Sequence, residues 1–207
     1  MISKKKLIQS IAGAALILGT VLLVSACGNA ATGDKTAAPP KTTEAPKAIQ
    51  LLKDLPQPKS ITIDPALTAS EAETMVQTAQ RFYAFWNTGN EDFISQAVSP
   101  DFMDNTLPKG RPQGPEGLKF ASSRFRKIVP DLQCSIEDLL VVGDKVTARL
   151  AFTGTDTGEF MGNKPTGKPI HFMAIDILRI KDGKLVEDWH LEDNLTFMQQ
   201  IGVVPEN

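Results

Sequence analysis

The feature that most constrains this chain is a change of hydrophobic period at Pro130. Downstream of it, the stretches Gln133–Val142, Lys145–Thr155, Pro169–Lys181 and Lys184–His190 carry the two-residue period of half-buried strands. Gly143-Asp144 separates the first pair and Asp182-Gly183 the last pair. Such dipeptides favour two-residue hairpin turns, and strands joined by them run antiparallel. Upstream of Pro130 the period is helical. Thr68 or Ser70 caps a helix to about Asn87, with Glu71 and Glu73 near its positive end. Met75, Ala79, Phe82 and Trp86 share one face of it. Thr88-Gly89-Asn90 breaks the pattern, and a short helix from Glu91 to Val98 stops at Ser99-Pro100. Pro115 opens a third helix carrying Leu118, Ala121, Phe125 and Ile128, and Asn194 to Ile201 reads as a last short one. Helices first and an antiparallel sheet afterwards predict an α+β domain over residues 67–207.

The N-terminal third has a different character. Lys4, Lys5 and Lys6 precede an apolar run from Ile11 to Val24. That run falls short of the roughly 20 residues a spanning helix needs, and reads as the core of an export signal over residues 1–26. It ends in Val24-Ser25-Ala26-Cys27, which resembles a bacterial lipobox. The resemblance implies a mature chain that starts at Cys27 and carries lipid there, exported and anchored to the bacterial cell membrane. The alternative is a short uncleaved anchor with an incidental cysteine. Residues 27–66 are then a lipidated Cys and a tether rich in Pro, Thr and Ala. From Gly28 to Ala48 no large apolar residue occurs, so ordering entropy is not offset by burial. Leu51, Leu52, Leu55, Ile61 and Ile63 could pack on the domain, whereas Pro56, Pro58 and Pro65 forbid a long helix there.

Charge and composition exclude several classes. The 207 residues carry a net charge of −2, and loss of the signal's lysines leaves 19 basic against 24 acidic side chains. That balance argues against a nucleic-acid partner gripped through its phosphates. Two cysteines and two histidines leave little for a metal site or a disulfide scaffold. Cys134, alone once Cys27 is acylated, reads as a small core residue. Gly162-Asn163-Lys164-Pro165-Thr166-Gly167-Lys168 imitates a phosphate loop. It lacks the following Ser or Thr, however, and leads into a strand, so it reads as a connecting loop.

Two places hold polar residues where apolar ones are expected. In Pro169–Lys181 the face Phe172, Ala174, Asp176, Leu178, Ile180 is apolar except for Asp176. A carboxylate there needs a partner, water or a cavity, and in an apolar cavity it suits general acid–base work. The alternative is a salt-bridged acid at a sheet rim. The second place is Glu187-Asp188-Trp189-His190-Leu191-Glu192-Asp193. His190 can move protons without a metal, and Trp189 offers a flat wall. The alternative is a solvated strand end with Trp189 as a core plug.

A series of short motifs gives these positions a context. In order they are Gly114-Pro115-Glu116-Gly117-Leu118, Phe125-Arg126, Val129-Pro130-Asp131, Val142-Gly143-Asp144-Lys145-Val146 and Phe152-Thr153-Gly154-Thr155. Gly158-Glu159-Phe160, Pro165-Thr166-Gly167-Lys168, Arg179, Asp182-Gly183-Lys184, Glu187-x-Trp189 and Gln199-Gln200-Ile201-Gly202 complete the series. Together they resemble the SnoaL-like polyketide cyclase (ester cyclase) family over about residues 70–203. The resemblance implies a nuclear-transport-factor-2-like fold, a cone-shaped curved antiparallel sheet with N-terminal helices enclosing an apolar cavity. It implies ring closure by intramolecular aldol condensation on a polyketide ester, with no metal and no cofactor. The family's pocket acid falls at His190 and a pocket histidine at Asp176, so the pair is exchanged and either one could act as base. Trp189, Phe82, Trp86 and Asp193 are the expected pocket neighbours.

Two functions therefore stand at this point. One is a cofactor-independent acid–base enzyme of cyclase or isomerase type acting on a small carbonyl or ester compound. The other is a lipid-tethered module that binds an apolar ligand without chemistry. A third, weaker reading is assembly through the sheet's outer face as a homodimer.

Overall fold

The computed structural model describes residues 48–206. The predicted signal, the lipidation site Cys27 and the tether up to residue 47 lie outside the described residues. The chain order is β1 (Ile61–Ile63), α1 (Ala69–Thr88), α2 (Asp92–Ala97), β2 (Val98–Asp104), α3 (Pro115–Ile128), β3 (Gln133–Val142), β4 (Lys145–Thr155), β5 (Pro169–Lys181), β6 (Lys184–Glu192) and α4 (Asn194–Gln200).

Six strands form one sheet in the order β1-β3-β4-β5-β6-β2. The four predicted strands make its antiparallel centre. The two edges differ from expectation, because β1 adds in parallel to β3 and β2 in parallel to β6. Residues 49–66, grouped with the tether on composition, therefore belong in part to the body. Ile61 and Ile63 of β1, with Ile49 and Leu51 upstream, pack against the core. Gln80 of α1, itself buried, accepts from the Leu52 amide at 3.0 Å and donates to the carbonyls of Leu52 and Pro56. Those bonds fix a proline-rich segment that has no helix of its own.

The helices begin and end where their chemistry dictates. Thr68 and Glu71 form a reciprocal capping box on α1, and Gly89 closes it in the left-handed conformation, φ 71°. Pro115 occupies the first turn of α3. On α1 the residues Met75, Val76, Ala79, Phe82, Tyr83 and Phe85 are buried against the sheet's inner face. That face is built from Leu139, Val141, Val146, Ala148, Leu150, Leu178 and Leu185.

Register irregularities bend the sheet and decide which side chains face inward. In β3 the pairing slips between Ile136 and Asp138, so Cys134 and Ile136 point inward before it and Leu139 and Val141 after it. An inserted residue of this kind keeps both halves apolar inside while curving the strand. A second slip lies between Arg179 and Ile180, opposite Val186 of β6. It turns the inward phase of β6 from Leu185 to Asp188, His190 and Glu192.

The imitation phosphate loop is the connection between β4 and β5, as expected. This connection is pinned to the end of α3 at Gly158, whose amide donates to the Ile128 carbonyl at 3.0 Å. A Cβ on Gly158 would stand 1.9 Å from the Lys127 carbonyl oxygen and 2.7 Å from the Ile128 Cα. Backbone at that distance cannot yield as a side chain can. Gly158→Ala is thus expected to lower stability by about 2–3 kcal/mol in thermal or urea unfolding, within the range for overpacked sites.

Candidate functional site

Between α1, α3 and the inner face of the sheet lies a cavity of about 350 Å³. Its walls are largely apolar, with Trp86, Leu118, Phe125, Leu132, Phe152 and Phe172 among the lining residues. The Phe152 and Phe172 rings stack at 5.3 Å with 14° between their planes, and Trp86 meets Phe152 edge-on at 6.4 Å. The stacked pair leaves no space between its rings, so with Trp86 it forms one continuous aromatic surface on which an apolar ligand can pack.

The other end of the cavity is polar. Asp176, Asp188, His190, Glu192 and Arg111 line it. Asp176 and His190, the two residues singled out for proton transfer, are direct cross-strand partners on β5 and β6. Neither basic side chain that could have neutralised Asp176 does so. Arg179 pairs with Glu187, and Lys184 donates to the carbonyls of Ser95 and Gln96. Asp176 is only 6% exposed, and its Oδ2 accepts a hydrogen bond from the Tyr83 hydroxyl at 3.0 Å. Burial pushes its carboxyl up to about 7, although the His190 charge and the Tyr83 bond pull the other way. Tyr83 itself is driven well above the phenol range, first by burial, so it remains a donor.

His190 sits in a bracket of charged groups. Its Nδ1 lies 2.8 Å from Glu192 Oε1 and its Nε2 lies 3.1 Å from Asp104 Oδ2. Burial alone would lower its pKa, but the bonds to Asp104 and Glu192 outweigh that and raise it to about 10. Arg111 ion-pairs with Asp104, and its Nη2 also stands 2.8 Å from His190 Nε2. Nε2 cannot donate to Asp104 and accept from Arg111 at once. With two carboxylates flanking the ring, the doubly protonated form is favoured, and Arg111 is the donor that takes over when Nε2 loses its proton. Burial works to raise Asp104, yet the His190 bond and charge, with Thr106 and Arg111, bring it down to about 2. Thr106 secures Asp104 through its amide at 2.9 Å and its hydroxyl at 3.1 Å.

Three expected pocket residues lie elsewhere. Trp189 cannot share a face with His190, because neighbours on a strand point to opposite sides. The irregularity at Val186 gives the inner side to His190 and leaves Trp189 on the outer face, across from Ile177. Phe82 is fully buried behind the wall, with its ring against Tyr83 and Trp86. Asp193 is exposed and caps α4, accepting from the Thr196 amide at 3.0 Å and hydroxyl at 2.7 Å. Trp86 does line the cavity. Cys134 is buried in the core.

Asp188, Asp104, Arg111, Glu192 and Tyr83 were not singled out individually. Asp188 and Glu192 were within reach, since both lie two positions from His190 and therefore on its face. Among the described residues no group of histidine, cysteine and acidic side chains has the arrangement of a metal site.

Comparison with known proteins bears on the chain as a whole. Residues 76–201 match the SnoaL-like polyketide cyclase family. The chain is similar to the aklanonic acid methyl ester cyclase DnrD of Streptomyces peucetius, 25% identical over 133 residues, covering 62% of this chain and 91% of the relative. It is likewise similar to the nogalonic acid methyl ester cyclase of Streptomyces nogalater, 25% identical over 120 residues, or 56% of this chain and 89% of that one. Among solved structures, a candidate polyketide cyclase from Bacillus cereus ATCC 10987 is 62% identical, with a TM-score of 0.70. The alignment covers 76% of this chain and 99% of that one.

Proposed function

The chain belongs to the SnoaL-like polyketide cyclase family, and from that premise we propose that it is a cofactor-independent acid–base enzyme for a small carbonyl or ester compound, held at a membrane by lipid on Cys27. One observation carries the catalytic part: Asp176 and His190 meet as cross-strand partners in one apolar-walled cavity. Asp176 is the proton acceptor, because a carboxyl near 7 both takes and returns a proton at neutral pH. His190, protonated and fixed between Asp104 and Glu192, is the positive charge beside which an enolate forms. The relatives' substrates, aklanonic and nogalonic acid methyl esters, suggest a polyketide-type ester with an acidic C–H. The test is to incubate the protein with ethyl benzoylacetate in D₂O and follow label entering the activated methylene. Exchange well above the buffer rate supports the enzyme. Exchange at the buffer rate, with the ester bound, leaves the non-catalytic binding module.

The localisation rests on the residues of the export signal. Three lysines, a short apolar run and Val24-Ser25-Ala26-Cys27 make Cys27 the lipid acceptor. Cys27→Ala is expected to move the protein from the membrane to the soluble fraction and to abolish incorporation of radiolabelled palmitate. Unchanged fractionation and labelling contradict the anchor. The homodimer is read onto the sheet's outer face, where Met173 and Ile177 are exposed beside Trp189. Sedimentation of Ile177→Lys as a monomer, against a wild-type dimer, supports that reading.

A further inference from the structure

Asp188 has no part in the proton acceptor–imidazolium pair, yet it lines the same cavity and is only 3% exposed. Its side chain lies on the inner face of β6, two residues before His190 and in register with Asp104 of β2. Asp104 is engaged by Arg111, Thr106 and His190. Asp188 has no such company, and its Oδ1 makes no hydrogen bond among the described residues. An ionised carboxylate cannot be left buried with an oxygen unpaired between two other carboxyl groups. A neutral carboxylic acid can, and it carries one O–H to give.

We infer that Asp188 is a neutral acid that donates a hydrogen bond to a carbonyl oxygen of the bound ligand, and so selects carbonyl compounds over hydrocarbons and over free carboxylates. This role for Asp188 rests on the cavity being a ligand site, as proposed above, but not on Asp176 acting as the proton acceptor. Burial and the neighbouring Asp176 both hold the Asp188 carboxyl well above its ordinary range, in keeping with the protonated form. The aromatic surface of Phe152, Phe172 and Trp86 takes the apolar body of the ligand. A free carboxylate would meet Asp176 and Glu192, with only the already paired Arg111 and His190 to offset them.

The experiment uses 2-acetylnaphthalene and 2-ethylnaphthalene, matched in shape and differing in one acceptor oxygen. The full-length protein is expected to bind the ketone about tenfold more tightly, as one net neutral hydrogen bond provides. The ketone's carbonyl stretch should move to lower frequency on binding. In Asp188→Leu, which keeps the volume and removes the donor, both the preference and the shift should vanish. Asp188→Asn, still an N–H donor, should keep part of each. A preference that survives in Asp188→Leu, or is missing from the unmodified protein, overturns the assignment. Because the ketone assay reads binding, it gives its answer even if no label exchange is ever seen.

Discussion

Asp176→Asn is expected to lower label exchange into an activated methylene by about 10²–10⁴-fold, the usual contribution of a positioned general base. The same substitution is expected to make the protein more stable above neutral pH. The two effects have one cause. In the folded chain the Asp176 carboxyl is held at about 7, against an ordinary 3.8, chiefly because it is buried. The folded state therefore binds that proton more tightly than the unfolded one. Its contribution is fully present below pH 3.8, falls as pH rises from there, and is gone once pH passes about 7. At about 1.4 kcal/mol per unit, the cost of ionising Asp176 in place reaches at most about 4 kcal/mol. Asparagine does not ionise, and its carbonyl can still accept from the Tyr83 hydroxyl. Urea unfolding at pH 5 and pH 8 should show the variant gaining on the parent at pH 8. Asp176→Ala serves as the contrast, because it leaves the Tyr83 hydroxyl buried without a partner and costs about 1–3 kcal/mol.

Asp104→Ala is expected to have the largest destabilising effect, about 3–5 kcal/mol at pH 7. Asp104 and Arg111 have side chains only 4% and 12% exposed, so the deletion leaves a buried guanidinium and an imidazolium short of their counter-charge. Asp104 titrates at about 2 in the folded state, so its contribution is present above 3.8 and is lost as pH falls through about 2. The gap between variant and parent should accordingly narrow in acid. His190 runs the opposite way. With its pKa raised to about 10, its contribution is complete below 6.5 and is lost as pH rises through about 10. Without Asp104 that upper limit moves down, and an NMR titration of the His190 ring in the variant should show it. A variant as stable as the parent at pH 7 would mean that the bracket around His190 holds nothing together.

The sequence made some parts of this molecule readable and hid others for identifiable reasons. Helices α1 and α3 and strands β3 to β6 announce themselves through period, caps and two-residue turns, all of them local signals. Strands β1 and β2 do not. One is three residues long, the other contains Pro100, and each pairs in parallel with a remote partner, so no hairpin marks them. Asp176 was visible as the one polar residue on an apolar face, and the structure puts it in the cavity. Trp189 was misplaced because strict alternation does not reveal the irregularity at Val186 that sets the phase of β6. Asp104 and Arg111 were invisible. Each is an ordinary charge in a polar stretch until the fold brings it to His190, 86 and 79 residues away along the chain.

The central claim is that the cavity holds a carboxyl poised near neutrality at Asp176. Selective ¹³C labelling of aspartate carboxyls, with Asp176→Asn to assign the resonance, allows that group to be titrated directly by NMR. The expected midpoint for Asp176 is near pH 7. A midpoint near the ordinary 3.8 would contradict it, because a carboxylate fully ionised at neutral pH would be neither buried as described nor suited to return the proton it takes.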